Sequence, residues 1–280
     1  MSDTLDIVPY DYLILSYPPG VSLSELRRLG KLSERQNVLL DLEIGRWMRE
    51  MHDRIQNDWF GLPKPTPPAS AAPPLLPSIP GLSSLGFGQQ GADDDEPSYS
   101  WQETFTSLLE SMLSAAEARG LVSSASCGAL RQPLGRAIGS FLFDDCEVPS
   151  LLTFLADAGS VFVHVPAEGA EPTITSLLPP TFALYGDPLL ETFFLASGPE
   201  DGALPGPAPS QALLEGYGGS PIVFRRQKTK RVWYDVFLAL VVLLAARGAA
   251  VGGPEVERLL DWARRRLEEC VDILKDAPCY

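Results

Sequence analysis

The chain has 280 residues, 45% of them hydrophobic and 21% charged, with a formal net charge of −14. That balance belongs to a globular protein, and the length allows one large core or two modest ones. So strong an acidic excess argues against nucleic acid or an anionic membrane as a partner, because both need clustered Lys and Arg.

YDYLILSYPPGVSLSEL, residues 10–26, begins as a short apolar strand and breaks at Pro18-Pro19-Gly20. Ser33 with Gln36 makes a capping box. It predicts a helix to about Asn57 with Leu40, Ile44, Trp47, Met51 and Ile55 on one face. Residues 62–99 hold nine prolines and the acidic run DDDE, which predicts a disordered, proline-rich insertion. Ser100-Trp-Gln-Glu103 is a second capping box, followed by the stripe Phe105, Leu108, Leu109, Met112, Leu113 and ended by Gly120. A weaker helix crossed by Pro133 covers about 126–143.

LLTFLADAGSVFV, residues 151–163, sets two apolar runs around an Asp-Ala-Gly turn. With a third run it predicts strands at 151–156, 160–165 and 173–178, read as a small β-meander. Asp187-Pro188 looks like an N-cap with proline at the first helical position, opening LLETFFLA. Residues 198–221 read as a Pro/Gly-rich loop, and two long helices close the chain at about 230–247 and 254–276. The basic cluster RRQKTKR at 225–231 reads as a solvated helix entrance. VFLALVVLLAA at 236–246 is too short to span a bilayer and reads as a buried core helix. The expected fold is α+β, mostly helical, in a single domain over residues 1–280.

Cys127, Cys146, Cys270 and Cys279 have no CxxC spacing, which suggests reduced thiols in a cytoplasmic protein. MSDTLDIVPY at the N-terminus lacks the basic-then-apolar layout of a signal peptide. Gly86-Phe-Gly88-Gln-Gln-Gly91 fits GxGxxG, but it sits in the proline-rich segment beside acidic residues 93–96, where phosphate is repelled. Asp93, Asp94 and Asp95 have no fixed geometry for a hard cation. His52 and His164 read as structural, and no serine lies in a GxSxG elbow. Neither a metal nor a cofactor is expected.

In order and spacing, YLILSYPPGVSLSEL, the helix ending at Met51-His52 with Trp59-Phe60-Gly61 beyond it, SWQETFTSLLESML, LYGDPLLETFF and RVWYDVFLALVVL are suggestive together. They resemble the aminoglycoside phosphotransferase and choline-kinase-like family, especially its fungal members. The resemblance covers most of the chain outside the two loops and implies the large lobe of a kinase-like fold. In that family a His-Gly-Asp strand carries the base-like Asp, an Asn five residues later helps hold Mg²⁺, and a second Asp follows on the next strand. On this sequence those positions are Thr153 for the His, Leu155 for the Asp, Ser160 for the Asn and about Pro179 for the second Asp.

Phosphoryl transfer relies on Mg²⁺ held by carboxylate and amide oxygens and on a carboxylate that orients the acceptor. Leucine and proline side chains can do neither, and Asp157 lies two residues past the expected place. All five lysines, Lys31, Lys64, Lys228, Lys230 and Lys275, follow the hinge-like strand, so none matches the small-lobe lysine. The resemblance therefore implies a catalytically degenerate, large-lobe-only protein that binds or scaffolds, with an unknown protein or small metabolite as partner. The alternatives are a non-kinase enzyme of fungal metabolite biosynthesis using the old acceptor cleft, and a phosphotransferase-type kinase with a truncated gene model.

Overall fold

The computed structural model describes residues 18–63, 97–153, 160–166, 170–177, 183–192, 210–246 and 254–278. In chain order the elements are β1 (Val21–Ser22), α1 (Leu23–Arg28), α2 (Glu34–Arg54), α3 (Trp101–Ala118), α4 (Ser124–Gly139), β2 (Ser150–Leu152), β3 (Val161–His164), β4 (Thr173–Leu177), β5 (Leu184–Gly186), α5 (Pro188–Thr192), α6 (Gln211–Tyr217), α7 (Arg225–Ala246) and α8 (Pro254–Asp276). The fold is α+β and mostly helical, as the sequence predicts.

Local chemistry sets the helix starts. Ser33 accepts from the Gln36 N–H while the Gln36 side chain returns to the Ser33 N–H at 2.9 Å, so the capping box forms. Ser100 accepts from the Glu103 N–H at 3.2 Å, and Gly120 closes that helix in the left-handed region. Pro133 lies inside α4 without ending it. The apolar face of α2 differs from expectation. Leu40, Ile44, Met48 and His52 are buried, whereas Trp47 and Ile55 stay nearly half exposed. The true stripe runs in strict steps of four and ends in a histidine.

Two apolar clusters divide the molecule. The larger gathers Trp101, Phe105, Phe143, Leu152, Leu184 and the buried face of α7 with α8. The smaller gathers Leu23, Leu40, Met48, Val161, Val163 and Leu213. These clusters also decide the strand pairing, which corrects the meander. β2 pairs antiparallel with β5, Leu151 opposite Tyr185, while β3 lies between β1 and β4 in a separate sheet. Leu152 belongs to the large cluster and Val161 and Val163 to the small one. The two runs of LLTFLADAGSVFV thus serve different cores, and burial overrides the hairpin signal between them.

A second correction falls on 198–221. Residues 211–217 form α6, capped by Ser210 and closed by Gly218 at φ 100°. This helix crosses α2 at two glycines. A Cβ on Gly45 would collide with the Leu213 carbonyl, and one on Gly216 with the Leu42 carbonyl, so backbones meet directly. The predicted insertion is anchored at its described ends, where the Phe60 N–H donates to the Ser98 carbonyl at 2.8 Å. The strand at 10–16, the GxGxxG segment, Asp93–95 and Cys279 lie outside the described residues.

Candidate functional site

A cleft of about 470 Å³ opens where five parts of the chain converge. They are the last turns of α2, residues 145–150, the start of α5, the end of α6 with residues 218–221, and the first turns of α7. Two buried polar networks form its floor.

The first centres on Asp187, whose place is fixed by the β5-to-α5 turn. Its Oδ1 accepts from the Leu189 N–H at 2.8 Å, so it caps α5 as the Asp-Pro pair predicts. Its Oδ2 also accepts from Lys230 Nζ at 2.6 Å and from the Tyr234 hydroxyl at 2.8 Å. Lys230 donates to Asp145 as well, and Trp101 Nε1 donates to the Tyr234 oxygen at 2.8 Å. One carboxylate thereby joins α3, α5, α7 and the 145–150 segment. Burial works against the Lys230 charge, but Asp187 and Asp145 outweigh it and hold the ammonium pKa above the ordinary value. Burial, reinforced by the Asp187 charge, raises Tyr234 well above a usual phenol, so its proton stays in place for Asp187.

The second network centres on Glu191, one turn further along α5 and fully buried. Its Oε2 lies 3.0 Å from His52 Nε2 and accepts from the Thr153 backbone N–H at 3.0 Å. The Thr153 hydroxyl reaches Oε1 at 3.4 Å. On the far side of the imidazole, Nδ1 lies 2.9 Å from the Tyr217 hydroxyl. Both ring nitrogens are engaged inside the protein. Arg49 stands over the Tyr217 ring, 5.6 Å from its centre, and pairs with Asp53 at 2.8 Å.

Of the sequence-predicted positions, Thr153 is buried and bonded to Glu191, and Ser160 is a half-buried bend residue just before β3, which belongs to the other sheet. Leu155, Asp157 and Pro179 lie outside the described residues. His164 ends β3 exposed, and His52 is buried with the partners given above. The basic entrance of α7 is a further correction, because Lys230 and Arg231 are buried rather than solvated. Arg231 and Arg266 both grip the buried Asp235, at 2.7 and 2.6 Å.

Sequence reasoning missed Lys230 and Tyr217 as cleft groups and Glu191 as the buried partner of His52 beneath them. A signal existed for Lys230, since it stands three and four residues before the buried Trp233 and Tyr234 and so shares their helix face. Cys127, Cys146 and Cys270 are free, and burial raises all three thiols, Cys270 to about 12. They are poor nucleophiles in that state. Among the described residues no helix is long and apolar enough to cross a membrane. No protein-family model, curated protein or solved structure matches this chain.

Proposed function

We propose that this chain is a catalytically degenerate, phosphotransferase-like protein that acts by binding or scaffolding, with a protein or a small metabolite as its partner. One observation carries the reading. Lys230 and His52, the two cleft groups best suited to phosphate binding and proton transfer, are each matched by partners within the chain. Lys230 lies between two carboxylates, and His52 lies between Glu191 and Tyr217. Thr153, at the histidine position of the resemblance, is bonded to Glu191 through both its N–H and its hydroxyl. Such networks hold a cleft in shape, and they tie Lys230 to carboxylates rather than leaving its charge for a phosphate.

Leu155 and Pro179 support the same reading by their chemistry, since neither can bind Mg²⁺ or orient an acceptor. The function needs no metal and no cofactor. Free, unactivated thiols suit the reducing cytoplasm in which we place it. The test is melting with and without Mg-ATP at millimolar concentration. A site whose Kd is about a hundredth of the ligand concentration adds about 2.7 kcal/mol to the native state. We expect the melting temperature to stay unchanged; a magnesium-dependent rise would overturn the reading.

A further inference from the structure

Ser220-Pro221 stands in the loop that joins α6 to α7, on the border of the cleft. The loop is pinned on both sides of the serine. The Gly219 N–H donates to the Leu214 carbonyl at 2.7 Å, and the Val223 and Phe224 N–H groups donate to Gln227 Oε1 at 2.6 and 2.9 Å. Between these anchors no residue belongs to a helix or strand, and Gly218, Gly219 and Ser220 are all exposed. A Cβ on either glycine would meet nothing within 4 Å, so space is open on that side of Ser220. Val223 and Phe224 on the other side are 69% and 68% exposed.

The proline after Ser220 biases the serine toward extended backbone and leaves no N–H at the next position. Ser220 Oγ accepts from the Ile222 N–H at 3.3 Å, and no group among the described residues accepts its proton. The hydroxyl is therefore exposed and its proton uncommitted. Residues 210–219 contain no Arg or Lys, and residues 221–230 contain no Asp or Glu. A kinase that reads basic residues before its serine, or acidic residues after it, finds nothing to hold here. The distinguishing feature is the proline itself. Thr66-Pro67 is the only other Ser/Thr-Pro pair in the chain.

We propose that Ser220 is a phosphorylation site for a proline-directed protein kinase. Its Oγ attacks the γ-phosphorus of ATP held by that kinase. The Oγ–P bond forms as the bond from that phosphorus to the β–γ bridging oxygen breaks, ADP leaves, and the hydroxyl proton passes to the kinase's catalytic carboxylate. The product carries a charge of about −1.5 to −2 at neutral pH. That charge arrives on the border of the cleft, whose lining also includes Arg49, Asp145, Glu147 and Lys230. Phosphorylation therefore turns the cleft mouth against anionic ligands and so changes what it admits. The proposal goes beyond the reading of the cleft, and neither depends on the other.

The test incubates the folded full chain with Mg-ATP and a recombinant proline-directed kinase, and maps phosphate by mass spectrometry. A kinase-free sample, a kinase that requires basic residues before its serine, and a synthetic peptide spanning 214–227 are the controls. We expect phosphate on Ser220 in the folded chain, none there in Ser220→Ala, and none without the kinase. Ser220→Thr should keep the modification, and Pro221→Ala should slow it by about tenfold or more. The kinase that requires basic residues should leave Ser220 unmodified. Melting curves check that each variant is folded; Ser220→Ala, which removes one exposed hydroxyl, should melt as wild type. Modification of the peptide but not of the folded chain would show the loop closed to a kinase and overturns the proposal. So does equal modification by the basic-reading kinase, an unchanged rate in Pro221→Ala, or no phosphate on either peptide or protein. The Mg-ATP melting experiment contains no kinase, so all of these results leave the reading of the cleft to be judged separately.

Discussion

Asp187 accepts from a backbone N–H with one oxygen and from an ammonium and a phenol with the other, and these bonds make different demands on the side chain. An amide can keep the cap but not the charge. Asp187→Asn should therefore leave Lys230 with Asp145 alone and cost about 3–5 kcal/mol, the usual penalty for breaking a buried pair. Asp187→Ala should cost about 1 kcal/mol more through the lost cap. Chemical denaturation of the two variants measures this, and an Asn variant as stable as wild type would reduce Asp187 to a cap. Glu191→Gln should cost about 0.5–1.5 kcal/mol, since the amide oxygen can take the Oε2 place and keep the bonds to Thr153 N–H and His52 but loses the charge that strengthens them.

At the scale of elements, the crossing of α2 and α6 depends on absent side chains. Gly45→Ala should force the backbones apart at the Leu213 carbonyl and cost about 1–3 kcal/mol. Gly128 on the exposed side of α4 meets nothing nearby, so Gly128→Ala should instead add about 0.4–1 kcal/mol. Urea midpoints of the pair separate close approach from ordinary glycine flexibility. The same elements show what the sequence could reveal. Ser33-Gln36, Gly120 and Asp187-Pro188 announce themselves, because a cap is decided within four residues. α6 has equally good caps in Ser210 and Gly218, but the Pro/Gly-rich context masked them. Strand pairing was not legible, since Leu152 and Val161 go to cores built from residues far away in sequence. The cleft was illegible for the same reason. His52 and Tyr217 are brought together by α2 packing on α6, Glu191 reaches His52 from α5, and no local pattern encodes those contacts.

For the molecule as a whole, the buried groups predict loss of stability in alkali. Cys270 would ionise near 9.0 in the unfolded chain, but burial pushes the folded thiol up to about 12. Between those values the native state holds the proton more tightly, so stability is full below the lower value and falls as pH rises. Lys230 adds to this above 10.5, its ordinary value, because its ammonium is favoured in the folded state and is lost as pH climbs through the raised pKa. The urea midpoint should fall between neutral pH and about pH 11, with a shallower fall in Cys270→Ala. A flat profile would mean that these groups are more solvated than their packing indicates.

The same closure of buried charges underlies the central claim, that the cleft holds its shape and performs no phosphoryl chemistry. Phosphorus NMR of Mg-ATP incubated with the full chain tests it most directly. We predict loss of the γ-phosphate at the rate of the protein-free control, with or without candidate hydroxyl acceptors. Magnesium-dependent turnover above that control, abolished by Lys230→Met or His52→Ala in a folded variant, would contradict the account.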